Sequence, residues 1–223
     1  MPCQAGIHVL KQIVAATNNP GKLAEFRAIL APLGIDVISM KEAGIHSEPE
    51  ETGTTFEENA RIKAQAASQA AGMPALADDS GLCVDALDGA PGIHTARFGG
   101  AISQAEKNAL LLSRMTGIPK EKRTARFVSA VCLAEPSGRC TEAMGVCEGF
   151  LLTEPDGTGG FGYDPIFADL QGRSFGTLPA AEKNRISHRA RALTVLADKV
   201  AAKVQASNAG ITQKTNEGAD RIC

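Results

Sequence analysis

The chain has 223 residues and a formal net charge of -2 at pH 7. That length suits one large domain, or one domain in two lobes, with ample chain for a core, and the slightly acidic balance argues against a nucleic-acid surface, which ordinarily shows a basic one. With no Trp and a single Tyr, platforms for stacking single strands are scarce.

In chain order, residues 12–17 (QIVAAT) read as a strand and TNNPGK as a loop. Residues 21–33 read as a helix, with Leu23, Phe26, Ile29, Leu30 and Leu33 at helical spacing. A strand, a tight loop and a helix in that order gather backbone N–H groups and the positive helix end at the loop, which favours anions. Lys22 adds a positive charge, although the loop lacks the GxxxxGK[ST] pattern of a P-loop. Read alone, Asn-Pro-Gly is equally an ordinary turn. A second strand is expected at 35–39, then a polar loop that carries Glu48, Glu50 and Glu51. Residues 54–72 follow as a helix, with capping-box spacing at Thr54–Glu57 and Thr55–Glu58 and an Ala-rich body. Those three acids complement the dipole of that helix as well as they would serve a metal.

In ALADDSGLCVDAL an apolar approach runs into Asp78, Asp79, Ser80 and Gly81, and apolar character resumes at Leu82. The pattern predicts a short buried strand ending in a tight turn that presents carboxylates at a cleft mouth. Carboxylates beside a core are costly unless paired, hydrogen-bonded or holding a metal, while Asp-Asp-Ser-Gly also suits a surface turn. Another helix is expected at 103–117, opened by Ser103 and Glu106. Strands at 123–135 and 140–152 are joined as a hairpin by PSGR. Dense glycine around Phe161, Tyr163 and Phe167 in GTGGFGYDPIF gives a loop able to grip a planar base, or one whose aromatics simply pack. From 179 to about 206 the chain reads as helical, its apolar stripe running Ile186, Leu193, Leu196, Val200 and Val204, with Lys183, His188 and Arg189 near its start. Residues 207–223 are polar, lack a stripe, and are expected to be disordered.

Six cysteines, at 3, 83, 132, 140, 147 and 223, form no CxxC pair and no Cys/His cluster at zinc spacing. No signal-peptide pattern opens the chain, and no apolar run reaches the ~20 residues of a membrane helix. A cytoplasmic protein with reduced thiols and no membrane partner is therefore expected. Cys132 and Cys140 could face each other across the hairpin, without a disulfide being expected.

Taken together, ATNNPGK, EETGTTFEENARIKA, ALADDSGLCVDAL with GAPGIHTARF, TGGFGYDPIF and ISHRA resemble the inosine/xanthosine triphosphate pyrophosphatases, in family order over residues 16–190. His94 and Thr95 depart from the aromatic residue and serine that many members carry. The resemblance implies a mixed α/β fold: an elongated central sheet flanked by helices, with two lobes over residues 1–206 and the substrate cleft between them. It implies a homodimer that binds no nucleic acid and hydrolyses ITP, dITP or XTP to the monophosphate and pyrophosphate. By the same resemblance, Thr17, Asn18, Asn19, Pro20, Gly21 and Lys22 hold the phosphates and Ser80 contacts substrate. Glu50 and Asp79 bind Mg2+, with Asp79 also the general base and Asp78 assisting from beside it. Phe161, Gly162, Tyr163 and Asp164, with Lys183, His188 and Arg189, read the base. Hypoxanthine and xanthine carry an oxygen at C6 where adenine carries an amine, so donors at that end match one and oppose the other. The rival readings are a septum-formation-inhibitor-type pyrophosphatase for modified pyrimidine nucleotides, from which the SHR and FGYDPIF blocks point away, and a non-catalytic nucleotide-binding module.

Overall fold

The computed structural model describes residues 10–46 and 49–219, and for 204 and 207–219 the backbone only. Its centre is a six-stranded mixed sheet in the order β2-β1-β3-β4-β5-β6. Strands β1 (Gln12–Ala15), β2 (Asp36–Ser39) and the start of β3 (Ala75–Val84) run parallel. From β3 onward β4 (Thr124–Ala134), β5 (Cys140–Leu151) and β6 (Phe167–Asp169) are antiparallel. The helices are α1 (Pro20–Leu30), α2 (Phe56–Ala71), α3 (Gln104–Arg114), α4 (Ala180–Ile186) and α5 (His188–Ala219). None is long and apolar enough to cross a membrane among the described residues.

Local chemistry sets most element ends. Asn19 caps α1, its side chain accepting from the amides of Gly21 and Lys22, with Pro20 opening the helix. Thr55 caps α2 by accepting from Glu58 N, and Gly72 closes that helix in the left-handed conformation. The Glu58 carboxylate reaches back to Thr54 N at 2.7 Å. Ser103 and Glu106 form the reciprocal capping box of α3. Ser187 separates α4 from α5: its backbone is extended, and its hydroxyl accepts from Ala190 N at 3.2 Å, as an N-cap does. The continuous helix expected from 179 is thereby broken, and the break puts His188 and Arg189 in the first turn of α5.

Three apolar clusters pack on this frame. One lies between the sheet and α1 with α5, around Phe26, Leu76 and Leu193. A second joins the Ala60–Ala64–Ala67 face of α2 to β1, β3 and β4. A third gathers Leu82, Leu111, Phe127, Tyr163, Phe167 and Phe175. Gly145 on β5 lets α5 begin directly on the sheet, because a Cβ there would stand 2.2 Å from His188 O.

Another expectation changes. The acid pair does not end a strand: β3 runs through Asp78 and Asp79 in unbroken register with β4 from Ala75↔Ala134 to Val84↔Ala125. Partners supplied by neighbouring helices let the carboxylates stay inside the sheet, so no turn is needed. The backbone of α5 runs on to Ala219; no proline interrupts the chain after 179 to stop it. Residues 220–223, like Glu48, lie outside the described residues.

Candidate active site

Strand alternation divides the two acids. Successive side chains leave a strand on opposite faces, so Asp78 points to the α1/α5 side and Asp79 to the α2 side. On its side Asp78 meets Lys22 Nζ at 2.7 Å and Arg189 at 2.9 Å. It also accepts from the hydroxyls of Ser80 and Ser129. Burial opposes its charge, yet Arg189 and Lys22 outweigh that and hold its carboxyl well below the usual range. The expected helper beside the base is thus a buried counter-ion that fixes two cations. On the other face Asp79 Oδ1 accepts from Lys63 Nζ at 2.9 Å, and its Oδ2 from Asn59 Nδ2 at 3.4 Å. Asn59 and Lys63 sit one turn apart on the Ala-rich face of α2.

Lys63 also donates to Glu51 Oε1 at 2.8 Å. Burial opposes the ammonium charge, but two carboxylates overcome it and hold its pKa up. Burial, aided by Glu51, keeps the Asp79 carboxyl above the ordinary value against the pull of Lys63 and, more weakly, Lys22. Glu50 is exposed, and its neighbour Glu51 lines the cleft instead, since adjacent side chains on an irregular stretch leave the backbone in different directions. Among the described residues no group of three or more His, Cys, Asp and Glu side chains is placed to hold a metal.

These groups open onto a cleft of about 370 Å³. Of the residues named from sequence, Thr17, Asn18, Asn19, Lys22, Asp79, Ser80, Phe161, Gly162, Tyr163, Asp164, Lys183, His188 and Arg189 line it. Pro20, which is exposed, and Gly21 are not among the lining residues. Gly21 is required there because a Cβ would lie 2.6 Å from the Phe161 ring. Lys22 is held in place, its side chain 16% exposed against Asp78, and burial lowers its pKa.

At the inner end Lys183 sits 4.5 Å over the Phe161 ring and pairs with both Asp164 and Glu25. Asp164 also accepts from Phe161 N at 2.7 Å, which shapes the loop. Glu25 bridges onward to Arg189. His188 stacks on Phe127 with centroids 4.8 Å apart. Burial, then Arg189, drives its pKa well down, so the ring is neutral. Its Nδ1 and the Arg189 Nε are buried without a hydrogen-bond partner in the ligand-free protein, a cost that a polar ligand atom would relieve.

Sequence reasoning did not single out Lys63, Asn59, Glu25, Glu51 as a cleft residue, Arg97 or Gln104. For Lys63 a signal existed: a lysine on the Ala60–Ala64–Ala67 face interrupts the apolar stripe of a helix. Glu25 offers a weaker one, as an acid next to the core residue Phe26. Arg97 and Gln104 reach the cleft from the last residue of a short 3-10 helix and the first residue of α3, where spacing carries no such signal.

A model of the Ham1 family matches residues 13–199. A dITP/XTP pyrophosphatase of Rhodopseudomonas palustris is 49% identical over 202 residues, covering 84% of this chain and 94% of that protein. One from Symbiobacterium thermophilum is 50% identical over 183 residues, with 82% and 91% covered. Among solved structures, a HAM1 protein from Coxiella burnetii superposes with a TM-score of 0.76 at 40% identity, covering 86% of this chain and 98% of that one. A nucleoside-triphosphatase, dITP/XTP pyrophosphatase, from Mycobacterium abscessus gives 0.66 at 42% identity, with 83% and 98% covered.

Proposed function

This chain belongs to the Ham1 family, and from that premise we propose that it hydrolyses ITP, dITP and XTP to the monophosphate and pyrophosphate. The observation that carries the reading is the arrangement of the cleft. A buried carboxylate, Asp79, faces it midway, while an aromatic face and neutral or cationic donors close its inner end.

Asp79 is proposed as the general base that takes the proton of the attacking water. Its raised pKa suits that task, because a base nearer the working pH combines ionisation with driving force. Lys22, fixed by Asp78, would hold phosphate oxygens at the positive end of α1, whose first amides Asn19 caps. Mg2+ is proposed as the cofactor. Two carboxylates already converge on one point, that of the Lys63 ammonium, and magnesium is ordinarily held by one or two carboxylates with phosphates and water. Asp79 would hold it with a carboxylate of the Glu50–Glu51 pair, of which Glu51 faces the cleft. The ion when bound would neutralise phosphate charge and acidify water.

At the inner end the base would lie against Phe161. Neutral His188 keeps one N–H, and Arg189 carries an Nε–H without a partner; both match an oxygen at C6 and oppose an amine. A site built to hydrogen-bond such a group rejects the analogue lacking it by about 10⁴–10⁵. The homodimer and the cytoplasmic setting belong to the same proposal.

The deciding experiment is pyrophosphate release with magnesium from ITP, dITP, XTP, GTP, ATP and a modified pyrimidine triphosphate. Release confined to the inosine and xanthosine nucleotides is expected. Preference for the pyrimidine would move the chain to the rival class of pyrophosphatase, and no release from any of them would overturn catalysis.

A further inference from the structure

Five cationic side chains line the cleft: Lys22, Lys63, Lys183, Arg189 and Arg97. The first four are each ion-paired with carboxylates. Arg97, among the described residues, makes no ion pair; its side chain donates Nε–H to His94 Nδ1 at 3.2 Å. That bond uses one of the five N–H groups of the guanidinium and leaves both terminal amines available.

The backbone that carries Arg97 is anchored on each side. Thr95 Oγ1 accepts from Leu82 N at 3.0 Å, and Thr95 O accepts from the Tyr163 hydroxyl at 3.1 Å. Phe98 is buried in the core. The guanidinium therefore projects from a fixed turn, and the Nε bond sets its plane.

Its place along the cleft follows from exposure. Side-chain exposure rises from 1% at Arg189 through 10% at Asp79 to 32% at Glu51, so the cleft deepens toward the base end. Arg97 lines the same cleft and is itself exposed, as is His94 beside it. Arg97 thus stands at the open end, away from the buried inner pocket.

We propose that Arg97 grips the pyrophosphate half of the substrate, the part that leaves, and that His94 is the positioning residue that orients it. This rests on the pyrophosphatase reading above. A planar fork matches phosphate oxygens two at a time, and an unpaired cation at the mouth loses no internal partner when an anion arrives.

The test is calorimetric binding of inorganic pyrophosphate, and separately of IMP, to the full chain with magnesium. Arg97→Ala is expected to weaken pyrophosphate binding by about tenfold or more, the size of one charge-assisted hydrogen bond, and to leave IMP binding unchanged. Arg97→Lys, which keeps the charge and loses the fork, should fall between. His94→Ala should weaken pyrophosphate binding less than Arg97→Ala and add nothing in the Arg97→Ala background. His94→Asn, whose amide oxygen can accept from Nε, should restore it. Unchanged pyrophosphate affinity in Arg97→Ala, or an equal loss for IMP, would overturn the grip; a His94→Ala protein that binds like the wild type would overturn the positioning role. Wild-type protein that binds pyrophosphate through Arg97 yet releases none from ITP would instead count against the catalytic reading alone.

Discussion

Lys63 and Asp79 form an ion pair inside the cleft, ammonium to Oδ1 at 2.9 Å, with side chains only 8% and 10% exposed. The proposed general base is therefore kept ionised by a neighbour on α2 while burial works against it. Removing that neighbour should raise the Asp79 pKa further, because burial would then be opposed only by the more distant Lys22. A base must be ionised to act. The expected result for Lys63→Ala is thus an acid limb of the kcat profile displaced to higher pH, with the rate at neutral pH reduced. An acid limb in the wild-type position would remove Lys63 from control of Asp79.

Asp79→Asn keeps the size of the side chain and the possibility of a bond with Asn59, but removes the proton acceptor. Pyrophosphate release should drop by about 10²–10⁴, while the circular dichroism spectrum and cooperative unfolding persist. Turnover within a few-fold of the wild type would mean that the water is activated elsewhere.

The acid pair also shows what could be read from the sequence and what could not. The PSGR hairpin and the Ser103–Glu106 box were legible because each is decided by residues a few positions apart. That Asp78 and Asp79 lie within a continuous strand was not, since it depends on Lys22, Arg189 and Lys63 arriving from distant helices. For the same reason Glu25, which joins Lys183 to Arg189, left little trace in its own helix. Ser187 reads as one more helical residue until its hydroxyl is seen capping α5. The choice between Glu50 and Glu51 turns on the direction of a side chain along an irregular stretch, which periodicity does not supply.

Glu25 is buried with two cations upon it. Glu25→Gln removes the charge that compensates them and leaves both beside Asp78 and Asp164 alone. Breaking a buried pair from one side ordinarily costs about 3–5 kcal/mol. Urea unfolding should show a loss of that order with an unchanged slope, together with a weakened preference for ITP over ATP, since Lys183 and Arg189 lose their common anchor. Full stability and preference in the variant would show that Asp78 and Asp164 suffice.

Acid should destabilise the fold earlier than carboxylates alone predict. His188 is neutral in the folded protein because burial and then Arg189 depress its pKa, whereas the unfolded chain takes up a proton near pH ~6.5. Below that value the unfolded state binds more protons, so the contribution present above pH ~6.5 is lost as pH falls toward the depressed folded value. Asp78, also depressed, adds a second loss below pH ~3.9. Thermal midpoints measured between pH 7.5 and 5 should decline, and His188→Gln should flatten that decline. An equal slope in the variant would locate the titrating group elsewhere.

Glu50 and Glu51 make different demands on a magnesium titration. Glu51 meets Lys63, which in turn meets Asp79, so its carboxylate can share an ion with Asp79 only as the ammonium gives way. Glu50, being exposed, would need the chain around it to turn inward. If the arrangement found without ligand is the one used, Glu51→Gln should raise the magnesium concentration needed for half-maximal pyrophosphate release by about tenfold, the loss of one charged ligand interaction. Glu50→Gln should raise it far less. The reverse order would mean that substrate draws Glu50 into the cleft and that Glu51 serves chiefly to hold Lys63; that outcome is separable, because Glu51→Gln would then shift the acid limb of the kcat profile without altering the magnesium requirement.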